Sequence, residues 1–281
     1  MATYIIRKLL YSILVLIGVI TVTFSLMYVI PGDPARLMLG QRADIASIDA
    51  VRKQLGLDDP LYVQYGRFMV KAVQGDLGRS YSSNRDVLTT IIETFPATAI
   101  LAVSALILSS IIGILIGVIS SVRPYTFADN FSMLVALFGI SFPPFALGLI
   151  MALVFGAWLK WFPISGYINN GMIYLVLPML TLALRPLAII ARLTRSSMLD
   201  VLGQDYVRTA RAKGVNEWKV IIKHALRNAL NPVITTISAW LAALLGGTFF
   251  IEYIFNWPGI GLLAINSILS LDFPMIQGTV L

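Results

Sequence analysis

The chain has 281 residues, 58% hydrophobic and 12% charged, with a net charge of +7 and a mean hydropathy of +0.83. A soluble domain carries roughly 25% charged residues, so this chain has too few polar side chains to coat a soluble globule, and lipid is the natural solvent of its surface. It has no cysteine, and His224 is its one histidine. This excludes a disulfide framework, a thiolate metal site, a cysteine nucleophile and a histidine-rich metal relay.

The apolar segments come in chain order. Leu9–Ile30 is uncharged and follows Arg7-Lys8. It exceeds the roughly 7–15 residues of a signal-peptide core and reads as an uncleaved anchor helix, domain 1–30. Residues 31–96 form a polar segment with eight basic and eight acidic residues. Within it, Asp49–Leu55 and Val63–Val73 have helical spacing, whereas Gly56-Leu-Asp-Asp-Pro60 and Gly75-Asp-Leu-Gly78 read as turns. Ala97–Val122 is a second span. Phe131–Leu159 would reach about 43 Å as one helix, beyond the ~30 Å hydrocarbon core. Its Pro143-Pro144 therefore predicts a kink, with a short leading helix and a span from Pro144. Ile173–Ile190, with Arg185-Pro186 near its end, is the fourth span. Pro232–Ile251 is the fifth, with Gly246-Gly247 allowing close packing or a bend. The last residues, Thr279-Val-Leu281, follow an apolar stretch too short to cross a bilayer, and a truncated sixth helix is expected. The expected fold is all-α and polytopic, with about six transmembrane helices, five of them complete: the anchor helix of domain 1–30 and the remainder in a core domain 97–281.

Basic residues set the orientation. The loop Arg192–Asn231 holds eight Lys/Arg against three acids. Together with Arg7-Lys8 it predicts an inside N-terminus and an internal 192–231 loop, with 31–96 external. The chain lacks G-x-x-x-x-G-K-[ST], G-x-S-x-G and H-E-x-x-H, so nucleotide cradling and hydrolysis have no support here. His224 reads as an interface or solvated residue.

The internal loop contains Gln204-Asp-Tyr-Val-Arg-Thr-Ala-Arg-Ala-Lys-Gly214. Asp205 suits a helix start, Gly214 a helix stop, and Asn216 caps a following helix Glu217–Leu230. Ala210 and Ala212 give a small face that a partner could approach closely. The plainer reading is a basic loop that retains topology or touches anionic lipid headgroups. Nucleic acid is excluded, since one aromatic side chain offers no stacking platform.

This run, followed by His224-Ala-Leu-Arg-Asn-Ala-Leu-Asn-Pro232, resembles the "EAA" coupling motif of ATP-binding-cassette importer permeases, with Asp205 where the family usually has Glu. Six further segments fit the first permease subunit of dipeptide, oligopeptide and nickel importers. They are Pro31-Gly-Asp-Pro34, Gly56–Pro60, Tyr65-Gly-Arg67, Gly75-Asp-Leu-Gly-Arg-Ser80, Ser141-Phe-Pro-Pro144 and Phe255-Asn-Trp-Pro-Gly-Ile-Gly261. The resemblance implies a bacterial inner-membrane transport subunit that is not itself an enzyme. It would work with a homologous second permease, two cytosolic ATPases and an extracytoplasmic binding protein. No cofactor is expected in this chain; ATP and Mg would bind the partner ATPases. Asp205, Tyr206, Arg208, Thr209, Ala210, Arg211, Ala212, Lys213 and Gly214 would dock on an ATPase. Peptide is the expected cargo, with nickel or a nickel chelate as the alternative. A stand-alone channel or secondary transporter would require paired intramembrane ionisable groups, which spans one, two, three and five lack.

Three further features stand apart from the motif. Arg185 either snorkels from near the inner end of span four or lines the translocation path, where it would attract a peptide carboxylate. Trp257-Pro258-Gly259 is either an interfacial aromatic anchor or part of a loop capping the path, with Glu252 and Asp272 at its mouth. Gly113 and Gly117 read as helix-packing positions.

Overall fold

The computed structural model describes residues 2–29, 34–39 and 44–281; Pro31, Gly32 and Asp33 of the Pro-Gly-Asp-Pro segment lie outside them. The described chain is helical. In order it runs α1 (Ala2–Val29), α2 (Pro34–Leu39), α3 (Ile45–Leu55), α4 (Leu61–Val73), α5 (Val87–Val122), α6 (Phe127–Ser141) and α7 (Pro144–Met151), which continues as a π-helical segment, Ala152–Trp158. After two short 3₁₀ turns come α8 (Val176–Leu202), α9 (Asp205–Ala212) and α10 (Glu217–Lys219). The latter runs through a π-helical segment, Val220–Leu226, into α11 (Arg227–Gly247), followed by α12 (Phe249–Ile254), α13 (Ile260–Leu269) and α14 (Phe273–Val280).

Four helical stretches are long and apolar enough to cross a membrane: Thr3–Ser25, Val87–Val122, Met172–Leu202 and Glu217–Gly247. A fifth is the pair Asp129–Ser141 and Pro144–Trp158, bent by 104°. The break falls at Pro143-Pro144, as the missing proline N–H and the fixed proline φ require. Four of the five expected spans are thus present as long apolar helices, the third is represented by the bent pair, and several ends differ from expectation. Helix α8 runs on to Leu202, so Arg192 and Arg195 are helical residues rather than the start of a loop. Pro232 does not begin a helix but lies inside α11, and Pro96 and Pro186 lie inside α5 and α8. Prolines are tolerated in membrane helices because neighbouring groups re-satisfy the freed carbonyl. Helix α13 has 10 residues, or about 15 Å, too short to span.

The chain divides into two compact units: Met1–Pro96 with Ile260–Leu281, and Ala97–Gly259. Residues 260–281 thus cluster with the N-terminal part.

In the first unit, α1 is largely exposed along its apolar length, as a lipid-facing helix should be. Its C-terminal part packs on α4, where the Thr21 and Tyr65 hydroxyls lie 2.8 Å apart and the rings of Phe24 and Tyr65 meet edge-on at 5.3 Å. The expected helices at Asp49–Leu55 and Val63–Val73 appear as α3 and α4. Asp44 caps α3 by accepting from the Ser47 N–H, and hydrogen bonds from the Ser47 side chain and then its backbone hold the Asp44 carboxyl below the usual carboxylate range. The turn between them is tied by Gln64, which donates to the Leu57 and Asp59 carbonyls at 2.9 and 2.7 Å, and by Arg67 on the Asp59 carboxylate.

In the second unit α8 is central, packing against α6, α7, α11 and α12. A cluster of Leu101, Ala105, Leu177, Leu182, Leu244, Ile251, Phe255 and Trp257 forms the main core. Helix α5 approaches α8 through glycine: a Cβ on Gly117 would lie 2.5 Å from Thr194 Cβ and 2.6 Å from the Ala191 carbonyl oxygen, and one on Gly113 would lie 2.9 Å from Ile190 and Leu187. This is the packing role expected of both residues. Near the far end of α8, the buried Asp129 carboxylate takes a two-pronged hydrogen bond from Arg195, both contacts 2.6 Å.

Gly117→Ala should destabilise the protein by about 1–3 kcal/mol, the usual cost of overpacking. Gly246→Ala, whose Cβ would meet nothing within 4 Å, should be neutral. Thermal unfolding of the two variants in detergent checks this; equal stability would contradict the close contact.

Candidate coupling helix and transport-path residues

Helix α9 forms where the sequence places it. Gln204 stands at its N-cap in extended conformation, Asp205 opens the first turn, and Gly214, at φ +74°, ends it in the left-handed region open to glycine. Asn216 then caps α10, its side-chain oxygen accepting from the Trp218 N–H at 2.9 Å. Val207 and Ala210, three residues apart on one face, are buried against Val220, with Val201, Leu202 and Val215 around them. Ala210 is therefore turned inwards, a correction to the expected outer face of Ala210 and Ala212; Ala212 alone of the two is exposed.

The remaining residues of the run face outwards. Asp205, Tyr206, Arg208, Thr209, Arg211, Lys213 and Gly214 are exposed. Arg211 is held by Glu217 in a forked pair, Nη2 to Oε1 at 2.7 Å and Nε to Oε2 at 3.1 Å. Asn228 donates to the Tyr206 hydroxyl at 2.7 Å. The helix is thus a charged ledge with one apolar side fixed to the base of the α10–α11 helix. Exposed surface pairs contribute little energy, so the buried Val207–Ala210–Val220 contact is what seats α9. Trp218, 68% exposed beside this ledge, went unnoticed in the sequence; an aromatic residue just after a helix cap was the available signal.

Arg185 lines a cavity of about 340 Å³ in the second unit, bounded by the α6–α7 break, α8, the end of α11 and α12. It is exposed and is the one ionisable residue lining that cavity.

Glu252 is fully buried. Its carboxylate accepts from the Thr98 hydroxyl at 2.7 Å and the Thr248 hydroxyl at 2.6 Å, and its carbonyl accepts from the Trp257 N–H at 2.8 Å. Trp257 is itself buried, its Nε1–H donating to the Ala97 carbonyl at 2.8 Å and its ring meeting Tyr167 edge-on at 4.8 Å. A Trp257 anchor at the lipid interface is thereby corrected: the indole is in the core. Pro258 carries the chain on to Gly259, where a Cβ would lie 2.4 Å from the Thr98 hydroxyl and 2.5 Å from a Glu252 oxygen. Only a glycine backbone passes this close to the carboxylate.

Asp272 belongs to the first unit and is also buried. It accepts from the Ser80 hydroxyl at 2.5 Å, the Ser82 hydroxyl at 2.9 Å and the Tyr81 N–H at 3.0 Å, and it caps α14. The serine of the Gly75–Ser80 segment is thus a carboxylate ligand, a role its sequence context does not reveal. Burial, aided by the Asp272 charge, pushes the Tyr81 phenol up to about 12.

Apolar spans, a charged amphipathic helix seated between two of them, and carboxylates used for packing rather than chemistry define a multi-pass membrane subunit without a hydrolytic centre among the described residues. The chain belongs to the family of binding-protein-dependent transport system inner membrane components, which it matches over residues 109–281, with the N-terminal component of such systems matched over residues 1–102. It is similar to the glutathione transport system permease protein GsiC of Escherichia coli O6:H1, 44% identical over 281 residues, covering 100% of this chain and 91% of the relative. It is likewise similar to the proteins of that name from Escherichia coli K12 and Shigella flexneri serotype 5b, each 43% identical over 281 residues with the same coverage. The chain is thus an inner-membrane, multi-pass permease of the ATP-binding-cassette importer class and not itself an enzyme.

The Tyr81 phenol provides a test of the Asp272 cluster. Its raised pKa means the fold favours the protonated phenol, so the stability it contributes is complete below the ordinary value of 10 and is lost as pH rises towards 12. A tyrosinate absorbance titration of wild type against Tyr81→Phe should assign one phenol titrating near 12. A difference centred at the ordinary value would refute the buried cluster.

Proposed function

We propose that this chain forms part of the translocation path of an importer for short peptides of the glutathione type, with α9 as its docking element for a cytosolic ATPase. The observation that carries the cargo reading is 44% identity along the whole chain to a glutathione permease. Nickel import, the alternative within the family, gains no support from these relatives. A second permease, two ATPases holding ATP and Mg, and an extracytoplasmic binding protein complete the assembly. The N-terminus lies inside, in keeping with Arg7-Lys8 and with the basic residues that surround α9.

The geometry of α9 supports the docking role. A partner gripping its exposed charges would move the base of the α10–α11 helix with it, because Val207 and Ala210 are packed on Val220. Trp218 adds an exposed apolar contact beside them. Glu252, Trp257, Pro258, Gly259 and Asp272 serve this reading as the internal supports of the second and first units.

Reconstitution with the second permease, ATPases and binding protein of the same system should give ATP-dependent accumulation of glutathione. Accumulation of nickel instead would overturn the cargo reading. Within this complex Gly214→Asn, a residue that tolerates φ > 0, should retain most transport. Gly214→Val should reduce it roughly tenfold or more, since a β-branched residue at that φ costs on the order of 1–3 kcal/mol. Full transport by Gly214→Val would remove the docking claim.

A further inference from the structure

Arg185 stands near the middle of the 31-residue helical stretch Met172–Leu202. The sequence reading placed it near the inner end of a shorter span, where its side chain would snorkel. With α8 running to Leu202, Arg185 lies seven residues, or about 10 Å along the axis, from Arg192, the next basic residue on the helix. Arg195, one turn further on, is the one paired with Asp129. Arg185 has no ion pair or hydrogen bond among the described residues. A guanidinium cannot shed its charge, and an unpaired charge inside a membrane-spanning stretch marks a binding or conduction role by default.

The surroundings narrow that role. The cavity of about 340 Å³ is walled by Phe142, Phe145, Trp240 and Phe250, with the Thr181 hydroxyl and the Trp240 indole N–H as its other polar side-chain groups. The Thr181 hydroxyl is already engaged with the Leu177 carbonyl at 2.8 Å. A concave, mostly apolar chamber with a few polar groups has the form of a small-molecule site. The one charged group here is a cationic fork suited to a planar carboxylate.

We propose that Arg185 is a specificity-determining residue of the transport path, receiving the C-terminal carboxylate of the peptide while the aromatic walls take its less polar parts. This rests on the peptide-import reading above. Two of the walls come from helix breaks, at Pro143-Pro144 and at the end of α11, while Pro186 lies within the continuous α8.

The test uses the whole reconstituted transporter with Arg185→Gln and Arg185→Lys, and glutathione and its glycyl ethyl ester as probes. Arg185→Gln should lower glutathione uptake per ATP hydrolysed by roughly tenfold or more, in line with loss of a charged hydrogen bond. Assembly and ATPase rate should be unchanged, and Arg185→Lys should keep a large part of the uptake. Wild type should prefer the acid to the ester, and Arg185→Gln should lose that preference. If the ester is excluded equally from both, it is rejected before the permease, and the fall in acid uptake decides alone. Unchanged glutathione uptake by Arg185→Gln, a preserved preference for the acid where wild type takes up measurable ester, or a loss of assembly would overturn the inference and leave peptide import standing. A wild-type complex that takes up no glutathione would instead overturn the peptide reading itself.

Discussion

Close backbone approach onto α8 is the constraint on which the second unit depends. In lipid, apolar side chains gain nothing by leaving solvent for one another, so helices associate through packing and a few polar contacts. Gly113 and Gly117 bring α5 onto the α8 backbone, and Gly139 brings α6 to 3.1 Å, by its would-be Cβ, from the Leu184 carbonyl oxygen. Once these contacts form, Asp129 reaches Arg195, and the core of Leu101, Leu182, Ile251 and Trp257 can close. Larger residues at those glycines would hold the helices apart and leave the polar contacts unmade.

Much of this was legible in the sequence, and the limits have physical causes. Span existence followed from runs of uncharged residues, and α9 with its Gly214 stop and Asn216 cap followed from local capping chemistry. Span ends were misplaced at Ile190 and Pro232, because a proline reads as a boundary in water but is carried inside a helix that neighbours support. Ala210 reads the same whether it faces a partner or its own core; only Val220, ten residues on, settles which. The partners of Glu252 and Asp272 were beyond reach for another reason. Thr98 lies 154 positions from Glu252, and Ser80 lies 192 from Asp272. No local pattern announces a carboxylate that is to be buried by hydroxyls from so far along the chain.

Besides Asp129, which is paired with Arg195, the chain spends two further carboxylates, Glu252 and Asp272, on interior contacts. Each gathers hydroxyl or N–H donors from separate segments, and charge-assisted hydrogen bonds are stronger than neutral ones. The Gly259 backbone and the Ser80–Ser82 turn are shaped around these acids. The motif residues in both places therefore act as structural ligands.

The unbroken course of Glu217–Gly247 has a mechanical consequence. Its 31 residues make a rod about 46 Å long, with α9 clamped at its foot through Val207, Ala210 and the Arg211–Glu217 fork. Its head carries Trp240 and Gly247 into the wall around Arg185. A tilt of a few degrees imposed at the foot becomes a displacement of ångströms at the head. If α9 docks an ATPase as proposed, this helix would serve as a lever arm, with the aromatic chamber at the end that travels furthest.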